Sequence, residues 1–210
     1  MSSLEEATRG FVLALEGATA VASCAVSDPA GSILELVAEP GVKHVEGLPQ
    51  LAADAAARAG VALRDVGCIV VGSGPGSYMG IRATVAVANA LSYAAGCPVA
   101  EISTLDSLGI ELASAEHESV VALVAGRGRY FTSSYRLLDG TAERLREPEL
   151  LEGEDAARLA GPGIAVYGLE AERRPTAAGH LRAIDLRPGW LRLEGIAGAQ
   201  PRYGPSGREA

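Results

Sequence analysis

Aromatic residues and cysteines are scarce in this chain, and long hydrophobic runs are absent. Phe, Trp and Tyr make up 4% of its 210 residues, and the three cysteines are Cys24, Cys68 and Cys97. Their odd number and lack of metal-like spacing argue against a disulfide framework and a zinc site, so we expect buried, reduced thiols. No apolar run approaches the ~20 residues that cross a bilayer, and no signal-peptide pattern is present. We therefore expect a cytoplasmic protein with no membrane partner.

An excess of positive charge is also missing. The chain has 18 Lys and Arg residues against 26 Asp and Glu residues, which gives a formal net charge of -8. Proteins that bind a phosphate backbone directly need a basic surface. The composition therefore argues against a nucleic-acid-binding domain and indicates a solvated acidic surface.

The usual motifs for metals and nucleophiles are absent as well. His44, His117 and His180 are far apart, and none of them begins an HxxxH or HExxH pair. Ser77 lies in Gly-Ser-Tyr rather than in the GxSxG motif of a nucleophile elbow. We expect no metal and no cofactor, while Ser/His/Asp catalysis stays open because its members need not be close in sequence.

What the chain does contain is one organising stretch, Cys68–Ala95. It begins with an apolar strand pattern at Cys68–Val71, continues through a glycine-rich turn, and becomes helical in pattern from about Ile81. Arg82 is the only charge in this helix. Because a helix that is apolar on nearly all sides must be covered on nearly all sides, it lies inside a domain or offers a face to a partner protein.

The glycine-rich turn does not match the known phosphate-binding fingerprints. A Walker A loop ends in Gly-Lys-Ser/Thr, whereas Gly80 is followed by Ile81 and Arg82. The third glycine of the dinucleotide-binding pattern is missing too. We favour a structural turn that lets strand and helix approach closely. The second interpretation is a nucleotide or anion site formed by Glu16, Gly74, Pro75, Gly76 and Ser77.

The first half of the chain predicts the order β-β-β-α-β-α-β, followed by a helix. The predicted strands are Phe11–Leu15, Val21–Val26, Ile33–Val37, Cys68–Val71 and Val99–Ile102. The predicted helices are Val42–Ala59, Ile81–Ala95 and Leu105–Ala113. This order indicates a mixed sheet with an antiparallel meander on one side and parallel crossover units on the other.

The second half gives weaker signals. Two strands, Ser119–Ala125 and Tyr130–Leu138, form a predicted hairpin. Beyond Glu147 we expect only a short helix at Glu154–Leu159 and a strand at Ile164–Tyr167, and the tail from Gly195 is expected to be loop or disorder. We divide the chain into an N-terminal lobe, residues 1–105, and a C-terminal lobe, residues 106–210.

The stretch Val71–Arg82, VGSGPGSYMGIR, resembles the GxGPGSFTGLR signature of the TsaB family, also called YeaZ. Other segments also match the family pattern. They are the helix end Gly96-Cys97-Pro98-Val99, the segment Ile102–Leu108 that follows it, His44 with Leu48-Pro49, the hairpin residues Gly128, Phe131 and Tyr135, and Pro201-Arg202-Tyr203.

The chain also departs from the family pattern. Glu16 and Gly17 replace the usual Asp and Ser/Thr, and Tyr78-Met79 stands where Phe-Thr is usual. The acidic residue that normally precedes the hairpin turn is missing. These changes weaken a nucleotide-binding role more than they weaken a scaffold role.

The resemblance implies an α/β protein with the actin-like ASKHA (ribonuclease H-like) fold, in two lobes that each carry a mixed sheet and flanking helices. It implies a non-catalytic subunit that pairs with a TsaD-like transferase and recruits a TsaE-like ATPase. The transferase adds threonylcarbamoyl to adenosine 37 of tRNA, so tRNA is reached only through the complex. A nucleotide at the subunit junction is left open.

The resemblance also implies where the partner binds, namely on the helices at Val42–Ala59 and Ile81–Ala95. The candidate partner-facing residues are His44, Leu48, Leu51, Ala52, Ala55, Arg82, Ala83, Ala86, Val87, Ala90 and Ala94. When the partner is absent, the same helices could pair two copies of the chain. Two alternatives remain: an ASKHA-type phosphotransferase or ATPase using Glu16 and the Gly74–Ser77 loop, and a glycoprotease-like hydrolase, which would need a metal or a triad.

Overall fold

The computed structural model describes residues 3–39, 46–167 and 174–204, which contain two β-sheets. The first sheet consists of β1 (Val12–Glu16), β2 (Ser23–Ser27), β3 (Ile33–Val37), β4 (Cys68–Gly72), β5 (Val99–Ile102) and β10 (Arg192–Glu194). The strand order is β10-β5-β4-β1-β2-β3. Strands β1, β2 and β3 form the expected antiparallel meander, and β4 and β5 continue from β1 in parallel. The predicted mixed sheet is confirmed.

The central strands β1 and β4 are buried along their whole length. Helices cover both faces of this sheet, so side chains pointing to either face must be apolar or small. This explains why Val12–Leu15 and Cys68–Val71 read as continuous apolar runs rather than as alternating patterns.

Two helices cover one face of the first sheet. Helix α2 (Leu48–Arg58) has Pro49 in its first turn, and α3 (Tyr78–Ala95) begins where the Ser77 hydroxyl accepts a bond from the Gly80 N–H at 3.3 Å. Helix α3 ends at Gly96, whose φ of 70° is the left-handed conformation that glycine adopts at little cost.

The second sheet is smaller and also mixed. It consists of β6 (Glu118–Gly126), β7 (Arg129–Leu138), β8 (Thr141–Glu152) and β9 (Ile164–Tyr167), in the order β8-β7-β6-β9. Strands β6, β7 and β8 are antiparallel neighbours, whereas β9 runs parallel to β6. The β6–β7 hairpin is confirmed.

The remaining helices complete the packing. These are α1 (Leu4–Ala7), α4 (Thr104–Leu112), α5 (Gly153–Arg158) and α6 (Ala177–Leu186), with single 3₁₀ turns at Leu63–Asp65 and Pro188–Trp190. Helix α6 packs on the face of the first sheet opposite α2 and α3, and α4 contacts both α6 and the second sheet. Helix α4 therefore joins the two sheets.

Several elements were not predicted: α1, α6, β8 and β10. Strand β8 reads TAERLREPELLE, a charged sequence with a proline. It forms a strand by pairing with β7, and Pro148 is tolerated because β8 lies at the sheet edge, where its free side need not donate a bond. The division at residue 105 stays a prediction, but the chain returns to the first sheet through α6 and β10.

Candidate functional site

Three backbone groups of the glycine-rich turn between β4 and α3 are hydrogen-bonded within the protein. The Ser73 N–H donates to the Ile102 carbonyl at 3.0 Å, and the Ser77 N–H donates to the Ala18 carbonyl at 2.7 Å. The Gly74 carbonyl accepts from the Thr104 N–H at 2.8 Å. These bonds tie the turn to the ends of β1 and β5, so the same amides are not offered to an anion.

Two of the glycines in this region are required by close packing. A Cβ atom on Gly80 would collide with the carbonyl oxygen of Gly17, and one on Gly74 would collide with that of Arg202. Gly74 also has a φ of 113°, which side chains disfavour. The geometry supports the interpretation of the turn as a place where helix, strand and tail approach one another closely.

Glu16, the candidate acid of a nucleotide site, is buried and points into the protein. One of its carboxylate oxygens accepts from the Ala18 N–H, and the other lies 2.9 Å from Nε2 of His180. Nδ1 of His180 lies 2.6 Å from the Ser107 hydroxyl. The three side chains come from β1, α6 and α4, and they form a buried polar cluster of Glu16, His180 and Ser107.

This cluster has the residue types of a hydrolase triad but not its accessibility. The relative exposures of Glu16, His180 and Ser107 are all 0%. A nucleophile must be reached by its substrate, so a hydroxyl without exposed surface cannot attack one in this conformation. Sequence reasoning did not find the cluster because its members are 73 and 164 positions apart.

A polar cleft of about 450 Å³ lies beside the turn. Its charged lining residues are Glu101, Asp106, Glu147, Arg144, Arg192 and Arg202. Glu101 lies 2.9 Å from Arg202, and Asp106 lies 2.6 Å from Arg144. Burial raises the pKa of the Glu101 carboxyl, an effect that the Gln200 N–H and Arg192 partly oppose. The charges in the cleft compensate one another, so it is not a strongly charged site.

The tail after β10 is anchored, although it has no regular secondary structure. We call residues 195–203 the C-terminal strap. The Asn89 side chain both donates to and accepts from the Ala199 backbone, each at 3.0 Å. The Tyr203 ring stacks on Tyr78 with ring centres 4.7 Å apart. Over residues 195–204 the predicted loop is thus confirmed as non-regular structure, and polar and aromatic contacts hold it against α3, while residues 205–210 lie outside the described residues.

A larger cleft of about 830 Å³ lies between the two sheets, and we call it the apolar cleft. One wall comes from the segment after β1 and from Tyr78, and the opposite wall from the end of β6 and Phe131. Tyr203 of the strap and Arg174 complete the lining. Arg174 is its single charged lining residue among the parts of the chain that the structure describes.

The outer face of α3 is exposed and almost uncharged. Arg82, Ala86, Ala90 and Ala94 are exposed, while Ala83 and Val87 are half-buried. Two large apolar residues flank this row, Met79 with 68% exposure and Tyr93 with 79%. Their spacing places all of them on one side of the helix. We call this surface the α3 face.

The predicted partner-facing residues of α2 are placed differently. Leu48, Ala52 and Ala55 are buried in the core against the first sheet, and Leu51 is half-buried. In this structure the three buried residues have no surface to offer a partner, because their helical spacing turns them inward. His44 lies outside the described residues.

Metal-binding clusters, membrane-spanning helices and exposed thiols are all absent from the described ranges. There, no group of three or more His, Cys, Asp or Glu residues could hold a metal ion. None of the described helices is long and apolar enough to span a bilayer. Cys24, Cys68 and Cys97 are free and buried, as expected, and burial raises the pKa of the Cys68 thiol to about 12.

Comparison with known proteins gives consistent results. A family model described as "TsaD: tRNA N6-adenosine threonylcarbamoyltransferase" matches residues 38–179, more than half of the chain. A stretch of 88 residues is 32% identical to the tRNA threonylcarbamoyladenosine biosynthesis protein TsaB of Bacillus subtilis, covering 40% of this chain and 37% of that protein. An uncharacterized Mycobacterium leprae protein is 29% identical over 158 residues, which are 73% of this chain and 38% of that protein. The matches thus span less than two fifths of these two relatives.

Solved structures show the fold. The protein titled "YeaZ from Pseudomonas aeruginosa" superposes with a TM-score of 0.77 at 22% identity, covering 92% of this chain and 99% of that one. A second Pseudomonas aeruginosa structure, titled as similar to peptidase YEAZ, gives a TM-score of 0.78 at the same identity and coverage. The predicted actin-like ASKHA fold is confirmed. The chain belongs to the TsaD family of tRNA N6-adenosine threonylcarbamoyltransferases, and its similarities make it a TsaB- or YeaZ-type member.

Proposed function

We propose that this chain is a non-catalytic scaffold subunit in the synthesis of threonylcarbamoyladenosine in tRNA. It docks on a TsaD-like transferase, and docking favours the active conformation of that partner. The chain itself makes and breaks no bonds. A ligand or subunit shifts a conformational equilibrium only by binding one state more tightly than the other, and the scaffold acts in this way.

The α3 face is the observation that carries this proposal. Exposed apolar side chains such as Met79 and Tyr93 remain in contact with water in the isolated chain, and contiguous patches of this kind mark interaction sites. The alanine row Ala86, Ala90 and Ala94 lets a second helix approach closely. Arg82, at one end of the row, fixes the orientation of a partner that carries a carboxylate opposite it.

The interior supports the non-catalytic part of the proposal. The Glu16 carboxylate is occupied by an internal amide and by His180, and the Ser73 and Ser77 amides of the glycine turn donate to protein carbonyls. An ASKHA-type phosphotransferase would need these groups at the nucleotide. The Ser107 hydroxyl is buried, which disfavours the hydrolase alternative.

The same proposal covers the other partners. A TsaE-like ATPase joins the complex of scaffold and transferase in the cytoplasm, and tRNA binds through that complex, which agrees with the net charge of -8. Without the transferase, the α3 face pairs two copies of this chain.

The test is a binding experiment with the cognate TsaD-like transferase. Size exclusion with light scattering and isothermal titration would compare wild type with Ala90→Arg, in the middle of the α3 face. The matched control is Ala157→Arg, which places the same side chain on another exposed helical alanine, in α5. We expect Ala90→Arg to weaken the complex by roughly 100-fold or more, and Ala157→Arg to bind like wild type.

Both variants should melt at the wild-type temperature, because both positions are exposed. A transferase that is inactive alone and active with wild type, but not with Ala90→Arg, would support the scaffold role. Undiminished binding by Ala90→Arg, or nucleotide turnover by the isolated chain, would contradict it.

A further inference from the structure

The α3 face and the apolar cleft are parts of one continuous surface. Tyr78 is the first residue of α3, is 54% exposed, and also lines the cleft. Its hydroxyl accepts a hydrogen bond from Arg82 at 3.0 Å, and the Arg82 guanidinium lies 5.3 Å from its ring centre. On the cleft side, the ring stacks on Tyr203. A partner that covers the α3 face therefore reaches the mouth of the cleft.

The cleft is suited to apolar side chains. Its walls are formed mainly by alanine, valine, leucine and aromatic residues, and Val124 has 62% exposure there, unusual for a valine in a strand. The hydroxyl of Ser77 caps α3, and that of Thr19 donates to the Val21 carbonyl. Apart from Arg174, the lining therefore offers few polar groups to a phosphate, and the Glu16 carboxylate points elsewhere.

We propose that the partner bound to the α3 face also inserts an apolar segment into the cleft between the two sheets, packing it against Val124, Tyr78 and Tyr203. This inference rests on the proposed function and adds a second docking element to it. The exposed valine and the tyrosine pair then have a common role, because one partner removes both from water. The strap becomes a determinant of docking, since it supplies Tyr203.

A protection experiment tests the placement directly. The native cysteines are buried, so a cysteine introduced by Val124→Cys is the one that iodoacetamide alkylates. Leu138→Cys is the matched control, because Leu138 is also exposed but lies at the far end of β7 from the β6–β7 turn. We expect the transferase to slow alkylation several-fold in Val124→Cys and not in Leu138→Cys.

Affinity measurements supply the second readout. Val124→Glu and Tyr203→Ala should each weaken the complex by about tenfold, while Leu138→Glu should bind like wild type. Thermal melting checks that each variant is folded. If Tyr203→Ala disturbs the strap, Val124→Glu still tests the inference. Val124 is exposed, so its replacement removes few packing contacts and should leave the fold intact.

The outcomes separate the two proposals. If Ala90→Arg abolishes binding while Val124→Glu does not weaken it and Val124→Cys is not protected, the cleft is not a docking element and the scaffold role stands. An equal loss of transferase affinity in Leu138→Glu would also overturn the inference, because the added negative charge alone would then explain the weaker binding of Val124→Glu. Protection of Val124→Cys by ADP in the isolated chain would reassign the cleft to a small ligand. Unchanged binding by Ala90→Arg would remove the proposed function itself.

Discussion

Two regions reverse the usual distribution of side chains: the buried polar cluster of Glu16, His180 and Ser107, and the α3 face. In the buried cluster, the ionisable residues Glu16 and His180 are completely buried, and each has a partner at hydrogen-bond distance. On α3, Met79 and Tyr93 are large apolar residues that stand mostly in water. One region is polar inside, and the other is apolar outside.

The difference shows how the two regions should be interpreted. A buried polar group costs free energy unless it is hydrogen-bonded, so a fully paired cluster is compatible with a purely structural role. An exposed apolar face also costs free energy, and nothing within the described chain covers this one. The first region therefore predicts effects on stability, and the second predicts effects on binding.

The largest expected effect on stability comes from His180→Ala. The substitution leaves the buried Glu16 carboxylate without its histidine, and we expect the free energy of unfolding to fall by about 3 kcal/mol. Urea unfolding measures this loss. The control is Arg182→Ala on the same helix, which removes a half-exposed ion pair with Glu111 and should cost less than about 1 kcal/mol. Equal free energies of unfolding for the two variants would contradict the expectation that the buried cluster contributes more to stability than the surface ion pair.

A second prediction concerns Gly80, which lies where the interior meets α3. Its replacement by alanine pushes a methyl group against the Gly17 carbonyl, and we expect a loss of about 2 kcal/mol in the free energy of unfolding. Gly10→Ala is the control, since a Cβ there meets no atom within 4 Å. Because α3 must shift to make room, Gly80→Ala should also weaken transferase binding. Normal stability would show that the close approach is not required.

The smallest of these effects tests whether the rule for buried polar groups extends to the second sheet. Tyr135 is fully buried, and its hydroxyl donates to Asp106 at 2.8 Å. Tyr135→Phe should lower the free energy of unfolding by about 1.5 kcal/mol, and Tyr130→Phe, at a half-exposed position of β7, should change it little. Thermal and urea melts would measure both. A neutral Tyr135→Phe would mean that Arg144 alone satisfies the Asp106 carboxylate.

Most of the first sheet could be predicted because its pattern is local. The apolar runs at β1 and β4 and the helix end at Gly96 each identify an element without help from distant residues. Strand β8 could not be predicted in this way, because its charged residues are stabilised as a strand by pairing with β7. Helix α6 is stabilised by packing on β1 to β4, which lie more than 100 residues earlier in the chain.

The candidate site was likewise predictable only in part. The apolar pattern of α3 left two possibilities, burial inside a domain or a face offered to a partner, and the structure places Ala86, Ala90 and Ala94 on an exposed face. For α2 the candidate partner-facing residues came from the family resemblance, and residue pattern could not check them, because a helix with alanines around its circumference does not reveal which side meets the sheet. Leu48, Ala52 and Ala55 turned out to face the core.

The sequence by itself determined the mixed first sheet, the glycine turn and the apolar character of α3, since these depend on residue types at short spacing. Only the tertiary structure decided that Glu16 meets His180 and Ser107, that the tail crosses back to stack Tyr203 on Tyr78, and that a cleft opens between the sheets. These contacts join residues far apart in the chain. Which residues meet in these contacts is decided by how whole helices and strands pack together, and the local sequence pattern carries no information about that packing.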